Sequence, residues 1–133
     1  MENQTLLELE KYIVPGSHAH LVGIGGVSMS PLAIVLHDSG IITTGSDMNE
    51  SDAINHMRQL GIEISIGHKA ENISGADYVI RTAAVHDDNP EIAAAKRAGV
   101  PVFERAEAWG FIMRFYKNAL CIAGTHGKTT TTS

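Results

Sequence analysis

The chain has 133 residues, of which 44% are hydrophobic and 19% charged, and its formal net charge is −5. That length suits a single domain with a real core, and the acidic balance argues against a nucleic-acid-binding module, which carries a basic face. No run approaches the roughly 18 apolar residues of a membrane span. The start, MENQTLLELEKYIV, lacks the basic-then-apolar order of a secretory leader. The one cysteine, Cys121, sits in an apolar run and reads as a buried strand thiol. A cytoplasmic protein with no membrane partner is expected.

A short helix is predicted first, with Thr5 and Glu8 spaced as a capping box and Gly16 ending the region. Ala19 to Ile24 is the first predicted strand. Met29, Leu32, Ala33 and Leu36 fall at i, i+3, i+4 and i+7, one face of a helix that stops near Gly40. Ile41 to Thr44 is the second strand. Asn49 or Ser51 can cap a helix carrying Ile54, Met57 and Leu60, ended by Gly61. Ile62 to Ile66 and Tyr78 to Thr82 are the third and fourth strands. Asn89 can cap the next helix, with Pro90 at its first position, Lys96 and Arg97 in its last turn and Gly99 as terminator. Val100 to Phe103 is a short strand. Trp109, Ile112, Met113 and Tyr116 mark one apolar helical face, and Leu120 to Ala123 is the last strand. This alternation with short connections implies an α/β fold: a Rossmann-like, mainly parallel sheet with helices on both faces. Ligands of such sheets bind at the carboxyl ends of the strands.

Two loops fall at such ends. Gly23-Ile24-Gly25-Gly26-Val27-Ser28 joins the first strand to the first helix. Glycines there allow a tight turn and close backbone approach, and the helix start offers amides and a positive dipole end to a phosphate. Ser28 and Ser30 could add hydroxyl donors. The loop departs from G-x-G-x-x-G, because Ser28 stands at the third glycine position. Asp47 ends the second strand at about the distance where a dinucleotide-binding fold places a ribose-binding carboxylate. The other reading of Asp47 is a turn residue bonded to its own backbone. The second loop, Gly124-Thr125-His126-Gly127-Lys128-Thr129-Thr130, follows the last strand. A Gly-Lys-Thr ending there suggests a phosphate-cradling loop, with Lys128 at the β/γ region and Thr129 helping to hold Mg²⁺. It is not a full Walker sequence, since Ile122 stands where the first glycine would be.

AGTHGKTTT resembles the ATP loop of the Mur ligase family, and HLVGIGGVSMSPLA resembles the first strand and glycine loop of its alanine-adding members. Gly45-Ser46-Asp47, Gly67-His68, Thr82-Ala83-Ala84-Val85 and Asp88-Asn89-Pro90-Glu91 also follow the family order, so the resemblance covers about residues 17 to 133. It implies that residues 1–118 form the UDP-sugar-binding domain. Residues 119–133 would then be the last strand and start of a central ATP-binding domain. In the whole ligase, UDP-N-acetylmuramate, L-alanine and ATP are the substrates and Mg²⁺ the metal. The muramoyl carboxylate is activated as an acyl phosphate before the amine of L-alanine attacks. Gly25, Gly26, Val27, Ser28, Met29 and Ser30 would then contact the diphosphate through the backbone. Asp47 and His68 would lie near the uridine, and Thr82, Ala83 and Ala84 would line the sugar cleft, Ala83 through its backbone alone. Residues 124–130 would bind ATP, with Lys128 catalytic and Thr129 on the metal. The chain by itself is expected to bind the UDP-sugar but not to catalyse.

Alternatives stand beside these. His68 also reads as a surface or packing residue. His86, Asp87 and Asp88 read as a metal cluster or, better, as a solvated approach to a helix. A valine at Gly25 is expected to block ligand approach and spare the fold. At the level of function, the alternatives are a ligase that attaches a preformed peptide to the same sugar and an NAD-binding oxidoreductase domain.

Overall fold

The computed structural model describes residues 11–82 and 84–113. Strands β1 (His18–Val22), β2 (Ile42–Asp47), β3 (Glu63–Ile66), β4 (Tyr78–Arg81) and β5 (Val102–Glu104) form one sheet in the order β3-β2-β1-β4-β5. Every pairing is parallel. Helices α1 (Met29–Asp38), α2 (Asp52–Leu60) and α3 (Pro90–Ala98) alternate with the strands, and residues 105–113 are helical after β5. The chain steps outward from β1 to β3, then crosses back to β4 on the other side of β1. That reversal opens a crevice beyond the carboxyl ends of β1 and β4.

Strand alternation divides the core. Ala19 and Leu21 of β1, with Tyr78 and Ile80 of β4, point into a large apolar cluster. It also takes Met29, Leu32 and Leu36 from α1, Ile54 and Met57 from α2, and Phe111 and Ile112 from the helical segment 105–113. Val22 and Val79 point the other way, into a smaller cluster with Ile73, Ile92 and Ala95 of the α3 side. Because side chains alternate along a strand, His20 shares this second face with Val22. The register pairs His20 with Thr44 and Val22 with Ser46, so both β2 residues face the same way.

Local signals set the helix ends. The Ser51 hydroxyl accepts from Ile54 N–H and the Asn89 side chain from Glu91 N–H, while Gly61 and Gly99 close α2 and α3 in the left-handed conformation. Other elements depart from expectation. β2 runs on to Asp47 because Gly45 pairs with both Leu21 and Ile64. A Cβ on Gly45 would stand 2.7 Å from Ile24 Cβ and 2.8 Å from the Leu21 oxygen, so only glycine fits there. A 3-10 turn at Ala70–Ile73 was not signalled by periodicity, yet it buries Ile73. Met113 and Leu60 are exposed rather than on the core faces expected for them; the buried face of 105–113 is Ala108, Phe111 and Ile112. The predicted Thr5–Glu8 cap, Tyr116 and the Leu120–Ala123 strand lie outside the described residues.

Candidate functional site

The loops leaving β1 and β4 meet at the crevice: a Cβ on Gly23 would lie 3.8 Å from Val85 Cγ2. Most amides of the first loop are already engaged. Gly23 N–H and Ile24 N–H donate to the Ser46 carbonyl at 2.8 and 3.0 Å, and Gly26 N–H donates to Gly23 O at 3.1 Å. Gly25 N–H donates to Asp47 Oδ2 at 2.9 Å. Met29 N–H and Ser30 N–H both donate to Gly26 O, and the Met29 side chain is buried in the core. The Ser30 hydroxyl turns back to Gly26 O at 2.9 Å. Val27 and Ser28 are therefore the loop residues whose N–H groups have no acceptor among the described residues. Both residues are exposed, at the start of α1. The Ser28 carbonyl accepts from Trp109 Nε1 at 3.1 Å, which ties the loop to the helical segment 105–113.

Asp47 closes two structures at once. Its Oδ1 accepts from Met48 N–H at 2.7 Å, as a turn aspartate does, while its Oδ2 holds Gly25. A Cβ on Gly25 would press on Asp47 Oδ2 at 2.9 Å and Ile54 Cδ1 at 3.1 Å. A valine there would press on the ends of the Asp47 and Ile54 side chains, and so would disturb the Gly25–Asp47 bond as well as ligand approach. Thr82 is half-buried and Ala84 exposed at the end of β4. Ala83 lies outside the described residues, as do Gly124, Thr125, His126, Gly127, Lys128, Thr129 and Thr130.

Next to this loop lies a polar network that sequence reasoning missed. Glu91, in the first turn of α3, is fully buried on the β1–β2 face. Its Oε1 accepts from His20 Nε2 and Ser46 Oγ, both at 2.7 Å. Its Oε2 accepts from Asn72 Nδ2 at 2.7 Å and Lys69 N–H at 3.1 Å. Burial pushes the Glu91 carboxyl up, but the donors His20, Asn72 and Ser46 outweigh it and bring the group down to about 2. His68 joins through Ser46 Oγ at 2.9 Å, with Nδ1 3.5 Å from Glu91 Oε2. His68 thus packs into the network at the carboxyl end of β3, with its side chain 13% exposed. The signal for this cluster was present as polar residues at strand positions that face α3: His20, Thr44 and Ser46.

On the far side of the crevice, Arg81 pairs with Asp87 and lies 3.7 Å from Glu104, and Lys96 donates to Asp87 at 2.9 Å. Lys96 and then Arg81 hold the exposed Asp87 carboxyl below its ordinary value. Among the described residues, no group of His, Cys, Asp and Glu side chains converges as a metal site. No described helix is long and apolar enough to cross a membrane.

A parallel sheet of this order, with a glycine loop at its switch point, is a Rossmann-like α/β domain. A family model described as the Mur ligase family, catalytic domain, matches residues 18–117, and the chain belongs to that family. The UDP-N-acetylmuramate–L-alanine ligase of Agathobacter rectalis is 52% identical over 87% of this chain and 26% of its own. That of Acetivibrio thermocellus is 46% identical over 100% of this chain and 28% of its own. The crystal structure of UDP-N-acetylmuramate-alanine ligase from Thermotoga maritima matches with a TM-score of 0.64 and 36% identity, over 79% of this chain and 23% of that one. A murein peptide ligase from Psychrobacter arcticus matches with a TM-score of 0.67 and 25% identity, over 75% and 21%. The chain spans about a quarter of the length of the curated relatives it matches.

Proposed function

We propose that this chain is the UDP-N-acetylmuramate-binding part of an ATP-dependent, alanine-adding Mur ligase of the cytoplasm. The observation that carries the reading is the pair of amides left without acceptors among the described residues, those of the exposed Val27 and Ser28, at the start of α1 and at the switch point of the sheet. Two adjacent N–H groups on a helix start suit a diphosphate without any cation, which fits the acidic chain. Asp47 holds the loop by its Gly25 amide, and the segment around His68 borders the nucleoside end. Thr82 to Ala84 would line the sugar side. This narrows the loop contacts to fewer residues than Gly25 to Ser30.

In the whole ligase, residues 124–130 would hold ATP, with Lys128 and Thr129 toward its phosphates and Mg²⁺. Those groups would offset the charge that gathers as the muramoyl carboxylate is activated for attack by L-alanine. The domain boundary is placed near residue 118, and the chain alone is expected to bind without turnover. The identity to alanine-adding relatives favours this reading over the peptide-attaching one. An NAD domain fits less well, because the Asp47 carboxylate is occupied by Gly25, Met48 and Asn49 amides. Calorimetric titration with UDP-N-acetylmuramate, UDP, NAD and ATP tests the proposal. Binding should be strongest for the UDP-sugar, weaker for UDP and negligible for NAD. Preference for NAD would overturn it.

A further inference from the structure

The polar network continues past Glu91 through His20 and Thr44 to the partly exposed His18 at the start of β1. His20 Nδ1 lies 2.9 Å from Thr44 Oγ1, His18 Nε2 lies 2.8 Å from the same oxygen, and His18 Nδ1 lies 2.9 Å from Gly75 O. Between the Gly75 carbonyl and the Glu91 carboxylate there are thus four contacts in series: Gly75 to His18, His18 to Thr44, Thr44 to His20, and His20 to Glu91. The Glu91 end of this series is buried, and the His18 end is open to solvent. Beside it, Asp77 Oδ2 accepts from the backbone N–H of His18 at 2.8 Å.

Counting protons around Ser46 fixes the tautomer of His68. The single proton of Ser46 Oγ goes to Glu91 Oε1, so Ser46 Oγ must accept from His68, and the proton of a neutral His68 sits on Nδ1. Nε2 is left as an acceptor suited to a hydroxyl or imide N–H, not to a phosphate oxygen. Glu91 also holds the segment after β3 through Lys69 N–H and Asn72, whose amide also donates to Gly67 O at 3.1 Å.

We propose that Glu91 is a positioning residue for the nucleotide-sugar site: through Ser46 it sets the tautomer of His68, and through Lys69 N–H and Asn72 it ties the 67–72 segment to the sheet. The proposal rests on the site reading given above. Ring-nitrogen NMR of the ligand-free 133-residue chain at neutral pH tests it, with the signal assigned by His68→Gln. The expected pattern is the Nδ1–H form of His68. Glu91→Gln should abolish that signature and weaken UDP-N-acetylmuramate binding about tenfold, the scale of a lost charged hydrogen bond. If that variant does not fold, Ser46→Ala should still release the His68 tautomer and weaken binding while keeping the His20–Glu91 pair. An Nε2–H form of His68 would overturn the network. Unchanged affinity after the signature is lost would overturn the positioning role alone. An intact signature in an unsubstituted chain that ignores UDP-N-acetylmuramate would retire the site reading and the positioning role with it.

Discussion

Asp87 and Glu91 stand four residues apart at the approach to one helix, and both carboxyls lie below their ordinary values. The causes differ. Asp87 has a side chain 62% exposed and is lowered first by Lys96, itself half exposed, and then by Arg81. Glu91 is lowered against a burial penalty, by donors on the strands and on the segment after β3. The same direction of shift therefore carries different weight. An exposed pair is screened and loses little when broken. A buried carboxylate that loses its place strands every donor aimed at it.

The sharpest way to break this contrast is Glu91→Ala. It leaves His20, Ser46, Asn72 and Lys69 N–H without their acceptor, and should cost roughly 3–5 kcal/mol in urea unfolding. A loss below about 1 kcal/mol would show that the network is not held in the native state. Acid gives the next largest effect. The folded carboxyl titrates at about 2 against an ordinary value of 4.5. A lowered folded value means stability that is complete above the ordinary value and is lost as pH falls toward 2. The shift corresponds to roughly 3 kcal/mol. A stability profile that stays flat between about pH 5 and pH 2 would contradict it. Asp47, half-buried and bonded only to backbone amides, lies between the extremes. Asp47→Ala releases Gly25 and should weaken UDP-N-acetylmuramate binding by about 1–3 kcal/mol, read by calorimetry. The smallest effect is expected for Asp87→Asn. Its melting midpoint should stay close to that of the unsubstituted chain, and any difference should vanish at high salt.

Much of the candidate site was legible before the fold was known, but unevenly. The glycine loop, Asp47 and His68 stood out by residue type and by position after strands. Which amides of that loop remain available did not. The Ser46 carbonyl takes Gly23 and Ile24, Asp47 takes Gly25, and Ser30 folds its hydroxyl inward. Asp47 does what its turn reading says, through Oδ1 and Met48 N–H, while its Oδ2 reaches a loop amide, Gly25 N–H, that no local pattern pointed to. Glu91 showed the opposite weakness. After a proline at a helix start it looks like a dipole-favoured surface acid, and nothing local says that His20, 71 positions earlier, is its partner.

The pattern of apolar residues, caps and glycines determined the elements by itself: where helices begin, which strand faces are oily, and that the sheet is parallel. These follow from short-range sterics and from periods of 2 and 3.6, which a linear chain displays directly. Only the tertiary structure decided the strand order and the pairing of His20, Thr44 and Ser46 with Glu91, and left Val27 and Ser28 as the loop amides without acceptors. Those outcomes depend on which distant donors and acceptors arrive at the same place, and a one-dimensional pattern does not record distance across a sheet.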